Sequence, residues 1–300
     1  MNEIKDVFDI KVELGAALKE LRVKKGLTQE DLKNEFLSRN QISNIEKGKQ
    51  STTFEKILYF MDTLNLTFDE LMFFLDDEYH SFKTGMITEL SKYSGLGGVE
   101  KLKGLQKKAL RLYEAYGIDY FQFMAEMAAS RIVLIQENNN FENARKEVSH
   151  LADYFHKIKS MNYNDLRMLG ECLFILEIDT ALEFIQKALT VINNYYDFYR
   201  NKRIGSALCL NMAIYALDFP THWHYALEYS QKAMELSSTG FHLHTTLKAK
   251  VVYQVACYKI GNGKYDETLL KGSLDAFKLA EWNSQYQQVA AFIKKHGLSF

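Results

Sequence analysis

The 300-residue sequence predicts an all-α protein in two parts, a short amino-terminal module of five helices and a longer run of helical hairpins. Three observations predict it. Proline occurs once, at Pro220, and proline is the residue a helix interior tolerates least. No stretch alternates apolar and polar residues as a half-buried strand does, whereas apolar residues recur at helical spacing along most of the chain. One helical segment is also echoed. Residues 181–189 and 226–234 share seven of nine positions, six identical and one aromatic in both (Phe184 and Tyr229), at a separation of 45.

The first part is expected over residues 1–75. Ile4, Val7, Phe8 and Ile10 form an apolar set at helical spacing that extends the first helix or packs on a neighbour. Residues 15–48 then read as three short helices. The second opens at Thr28, whose spacing to Asp31 makes a capping box. The third spans 38–47, and at about 100° per residue it puts Ile42 and Ile45 on one side with Ser38 and Glu46 beside them. Asn40, Ser43, Asn44 and Lys47 point the other way. Gly48 ends it. A fourth helix is expected over 53–64 (Phe54, Ile57, Leu58, Met61, Leu64). A fifth, over 67–75, is opened by a second capping box, Thr67 with Glu70.

The outward face of the third helix points to a use. Asn lowers helix stability, and an ordinary surface helix would carry Glu and Lys there. Asn can pair bidentately with adenine in the major groove and Arg with guanine, so Arg39, Asn40 and Asn44 suit base edges, with Gln41, Ser43 and Lys47 beside them. The bland alternative is a helical packing module with no nucleic-acid partner. The stretch resembles the helix-turn-helix of the phage-repressor-like (Xre/Cro) family, with a shorter turn at 35–38 than many phage repressors have. The resemblance implies that Gln29 anchors a phosphate, that Arg39, Asn40 and Asn44 face bases, and that Arg22 pairs with Glu46 to fix the recognition helix.

Net charge is -1 overall, so DNA affinity has to come from a local patch. Over 15–50 eight Lys and Arg stand against five acids, a modest excess that suggests two copies binding together. No apolar run approaches the roughly twenty residues that cross a bilayer, and the start of the sequence lacks a signal-peptide pattern. A cytoplasmic protein without membrane association is expected. Cys172, Cys209 and Cys257 are widely separated in apolar runs with no metal-ligand spacing, so they read as reduced core residues, and no metal or cofactor is expected. No HExxH, Gly-rich phosphate loop or GxSxG appears. The eight His read as surface or loop residues, and catalysis finds no support.

An acidic connection at 76–78 leads into the second part, expected over 76–300. The echoed segments, with weaker copies at 270–279 and 107–113, look like the second helix of a tetratricopeptide-like repeat, with Ala188 and Ala233 allowing close approach. The partner helices are expected at 117–137, 164–178, 202–217 and 243–260. The punctuation between them is Gly95 to Gly98, Asn138 to Asn140, Phe219-Pro220 and Gly261 to Gly263. Stacked hairpins make a right-handed α-solenoid with a concave face. Four polar residues interrupt the apolar partner helices, namely Arg131, Glu171, Asn211 and Gln254. Each can be satisfied inside the protein. As a set on successive inner helices they can instead grip a peptide, the amides on its backbone and Arg131 on a carboxylate.

A repressor-like helix-turn-helix joined to a helical-repeat domain resembles the Rgg/GadR/MutR regulators of Gram-positive bacteria. What that resemblance implies is a homodimeric transcription factor that binds an operator in double-stranded DNA and whose repeat domain binds a short signalling peptide. A helix at 283–296 would cap the solenoid. The competing reading is a peptide-responsive interaction protein that sequesters another protein.

Overall fold

A computed structural model describes residues 11–75, 78–93, 98–194, 199–238 and 242–298. The apolar set from Ile4 to Ile10, most of the acidic connection and the first three residues of the Gly95 to Gly98 run lie outside the described residues. The chain divides into two compact units, one ending at Thr88 and the next starting at Glu89. The division falls inside a helix, α5 (Glu78–Tyr93), rather than after Leu75.

Among the described residues of the first unit up to Leu75, four helices form, α1 (Lys11–Lys24), α2 (Arg39–Glu46), α3 (Phe54–Leu64) and α4 (Phe68–Phe74). Leu14, Ala17, Leu18 and Leu21 make one buried stripe on α1, and they meet Ile42 and Ile45 of α2, Phe60 and Leu64 of α3 and Leu71 of α4 in a single core. The capping boxes of α2 and α4 form as their spacing requires, Ser38 with Gln41 and Thr67 with Glu70. The left-handed backbone at Asn65 (φ 48°) ends α3.

The expected second helix is a departure: residues 29–32 form turns, not a regular helix. Thr28 and Asp31 do close their box, with the Asp31 carboxylate accepting from the Thr28 amide at 2.6 Å and hydroxyl at 2.7 Å. Those bonds hold Asp31 below the usual carboxylate range. Three residues on, the Asn34 carboxamide oxygen takes the amides of Phe36 and Leu37 at 2.9 and 2.8 Å. An Asn that binds nearby backbone in this way offers the chain a turn in place of a helix. Leu32 and Leu37, both fully buried, pin the segment to the core, and the Tyr59 hydroxyl donates to the Leu32 carbonyl.

The second unit is a right-handed α-solenoid of tetratricopeptide-like hairpins. It comprises the end of α5, then α6 (Val99–Tyr116), α7 (Asp119–Gln136), α8 (Phe141–Glu147), α9 (Ser149–Lys157), α10 (Tyr163–Cys172), α11 (Ile178–Asn194) and α12 (Tyr199–Ala216). A 3-10 turn (Pro220–His222) precedes α13 (Trp223–Ser237), α14 (Leu243–Ile260), α15 (Glu267–Leu279) and α16 (Asn283–Lys295). The echoed segments lie in α11 and α13, and Ala181, Ala188, Ala226 and Ala233 are all fully buried where those helices meet α12 and α14. The helix expected over 164–178 stops at Cys172.

Contacts define two rows. α12 touches both α10 and α14, and α14 touches α16, so these four form one row, while α11, α13 and α15 pack between them as the other. Helices that touch across an intervening helix lie on the tighter, inner side of a solenoid's curve.

Candidate DNA-reading helix and inner-row polar groups

Recognition by α2 depends on how firmly it is held. Ile42 and Ile45 are buried in the core. At its carboxy-terminal end Glu46, only 5% exposed, accepts two bonds from Arg22, from Nε at 2.6 Å and from Nη2 at 2.8 Å. Arg22 also donates to the Leu27 carbonyl at 2.7 Å. This bidentate pair raises the Arg22 pKa, through the hydrogen bond first, and a fork of this kind fixes direction as well as distance. The approach of α1 to α2 requires glycine twice. A Cβ on Gly15 would stand 2.2 Å from the Ile45 carbonyl oxygen, and one on Gly48, whose φ is 64°, would stand 2.7 Å from the Val12 Cα.

The opposite side of α2 is open. Arg39, Asn40 and Lys47 are exposed, and Gln41, Ser43 and Asn44 are partly so. Two of the expected DNA-contacting residues have intramolecular work. The Gln41 side-chain oxygen folds back onto the Ser38 amide at 3.0 Å, completing the cap. Gln29 donates from Nε2 to the Glu46 carboxylate at 2.8 Å, so a phosphate contact by that amide nitrogen requires this bond to be exchanged.

Of the four polar residues that interrupt the helices, Arg131 and Glu171 form a pair between α7 and α10. Arg131 Nη2 donates to the Glu171 carbonyl and, at 3.3 Å, to its carboxylate, whose other oxygen accepts from the Ser91 hydroxyl at 2.6 Å. Gln254 is buried, and its oxygen accepts from the Asp266 amide at 2.8 Å, tying down the approach to α15. Asn211, partly exposed on α12, has no hydrogen bond from its side chain among the described residues. Arg131, Glu171 and Gln254 thus have partners inside the protein, although the buried Arg131 Nε has none among the described residues, and Asn211 is open to a ligand.

Comparison with known proteins agrees with both units. Residues 18–71 match the family model described as helix-turn-helix, and residues 105–291 match that of the carboxy-terminal domain of the HTH-type transcriptional regulator Rgg. The chain belongs to the Rgg family of transcriptional regulators. No curated protein sequence matches it. Among solved structures, it is similar to the SHP pheromone receptor Rgg2 of Streptococcus dysgalactiae (20% identity, TM-score 0.73, covering 94% of this chain and 99% of that one). It is also similar to a putative transcriptional regulator from Listeria monocytogenes EGD-e (18%, TM-score 0.77, 96% and 100%). A third is PlcR of Bacillus thuringiensis, in complex with the peptide PapR7 and DNA (16%, TM-score 0.62, 93% and 99%). At these identities the likeness is one of fold.

Two residues of this Rgg protein were misplaced by sequence reading. His244 lies inside α14, edge-on to Phe277 and Trp282, with Nε2 buried and unpartnered among the described residues, and His296 is 5% exposed. Phe277 and Trp282 are distant in sequence from His244, so no local pattern marks it, whereas His296 packs edge-on against Phe292, one turn earlier on the same helix. Among the described residues no helix is long and apolar enough to cross a membrane. All three cysteines are free and buried, and burial pushes the Cys172 and Cys209 thiols up to about 12. A thiolate is the reactive form, so the folded protein is expected to consume no thiol reagent at neutral pH until denaturant is added. A rapid reaction of one equivalent with dithionitrobenzoate under native conditions would show that a thiol is reachable.

Proposed function

We propose that this Rgg regulator is a cytoplasmic homodimer, acting by binding and not by catalysis, that reads an operator through α2 and answers to a short peptide held by the inner row of its helical repeats. In this reading the module over 1–75 reads DNA, and residues 76–300 bind the ligand and form the dimer. The single observation that carries it is the immobilised polar helix, in which a bidentate ion pair and an apolar stripe fix α2 while Arg39, Asn40, Ser43, Asn44 and Lys47 stand open. Arg39 and Asn40, in the first turn, and Asn44, one turn later, are assigned to base edges. Lys47 is assigned to the backbone. Gln29 and Gln41 support the reading helix from behind through Glu46 and the Ser38 cap.

Support for the peptide comes from the fold shared with a pheromone receptor and with a peptide-bound, DNA-bound regulator, and from Asn211, whose amide can both donate and accept as a neighbouring strand would. Selection of genomic fragments on the purified protein, with and without culture-derived peptides, tests the whole reading. Enriched sequences whose recovery changes with peptide are expected, and recovery indifferent to peptide would leave the sequestering alternative. Light scattering that gave a monomer both free and on DNA would defeat the dimer. On the recovered operator, Asn40→Ala and Asn44→Ala should each weaken specific binding by about 1–3 kcal/mol without loss of helix, the effect of a lost bidentate base contact. Unchanged affinity in both variants would remove this face from the interface.

A further inference from the structure

Among the described residues, the inner row carries a cation with no counter-charge. Lys248 of α14 lines a cleft of about 170 Å³ walled by Ile214 of α12, Val251 and Val252 of α14, and Gln288, Val289 and Phe292 of α16. It is partly buried, and among the described residues it makes no ion pair and no hydrogen bond. Burial alone lowers its pKa. His244, one turn earlier on the helix, supplies no counter-charge, because it is a base whose own pKa is lowered by burial and then by Lys248. Lys250, by contrast, lies exposed on the same helix. Lysine stems lie along apolar surface with the head in water, so the Lys248 ammonium can stay hydrated at the cleft until an anion meets it.

Asn211 stands three residues before Ile214 on α12, a spacing that puts the two on one face of the helix. The cleft thus offers one cation and walls that are apolar but for Gln288, with Asn211 on the face of α12 that carries Ile214. A cleft of this size suits a single branched aliphatic side chain. We propose that Lys248 receives the terminal carboxylate of the bound ligand, a peptide whose last residue is aliphatic and fills this cleft, while Asn211 hydrogen-bonds the preceding amide. The assignment rests on the reading that the inner row binds a peptide, and it adds the chemistry of one end and its direction.

Three small probes on the full-length protein test it by saturation-transfer NMR: N-acetyl-leucine, which has the terminal carboxylate; N-acetyl-leucinamide, which lacks it; and N-acetyl-aspartamide, whose carboxylate is on a side chain. N-acetyl-leucine is expected to bind about tenfold more tightly than its amide, the weight of one lost charge-assisted contact, and Lys248→Met should erase that preference. The variant should keep the wild-type melting temperature, because it removes a side chain that makes no ion pair and no hydrogen bond among the described residues, and that shows its fold intact. Equal binding of acid and amide, a preference that survives in Lys248→Met, or no binding of any probe overturns the proposal. Tightest binding of N-acetyl-aspartamide overturns the terminal assignment. Failure of the peptide reading itself looks different, since culture-derived peptide would then leave operator affinity unchanged in wild type and variant alike. Failure confined to Lys248 leaves that response intact in both.

Discussion

Replacing Glu46 with alanine is expected to destabilise the amino-terminal unit by about 3–5 kcal/mol, against a total of about 5–15 kcal/mol for a typical domain. The variant strands Arg22, which is 7% exposed, with its Nε and Nη2 donors facing no acceptor. Arginine cannot escape by losing its proton. Gln29 loses its partner as well, so the turn segment and the recognition helix come loose together. Hydrogen exchange followed by mass spectrometry on the full chain reads this directly, as loss of protection in peptides spanning 15–48 while peptides from α12 to α14 keep theirs. The double variant Arg22→Met with Glu46→Leu should recover most of that protection, because a matched apolar pair removes both buried charges, yet the directional hold of the fork would be gone. Full protection in Glu46→Ala would show that the pair does not hold the unit.

Gly15→Val should cost about 3 kcal/mol or more, at the upper end for overpacking, and should abolish specific operator binding even where the unit stays folded. The new Cβ would collide with a backbone carbonyl, that of Ile45 at 2.2 Å, and with the Glu46 backbone at 3.1 Å. Neither can swing aside as a flexible side chain would. The remaining response is for α2 to move off α1, which opens the Arg22 to Glu46 geometry and shifts Asn40 and Asn44 from their register. Operator titration together with thermal melting separates this from simple unfolding. A Gly15→Val protein that binds its operator normally would show that α2 tolerates displacement and that its rigid seating does not matter for recognition.

Spacing along the chain was enough for the all-α class, the two kinds of helical texture, the capping boxes of Thr28 with Asp31 and Thr67 with Glu70, the buried stripe of α2 and the echoed repeat helices. Each is written in residues at most nine apart or in a repeat of them, so spacing alone carries the information. The Arg22 to Glu46 pair was legible only through a family resemblance, since nothing local joins positions 24 apart. Tertiary structure decided the rest. Asn34 turns the expected second helix into a pinned series of turns, a choice settled by Leu32, Leu37 and Tyr59 reaching a core built from other helices. Arg131, Glu171 and Gln254 look alike in sequence to Asn211, as polar residues in apolar helices, but whether a buried polar group is free depends on what the next helix brings against it. α10 supplies a partner to Arg131, α7 and α5 supply partners to Glu171, and the approach to α15 supplies one to Gln254. Neither the amide left open on α12 nor the unpaired cation of Lys248 on α14 can be read from a helix considered alone, because solvation and pairing are properties of the packed row.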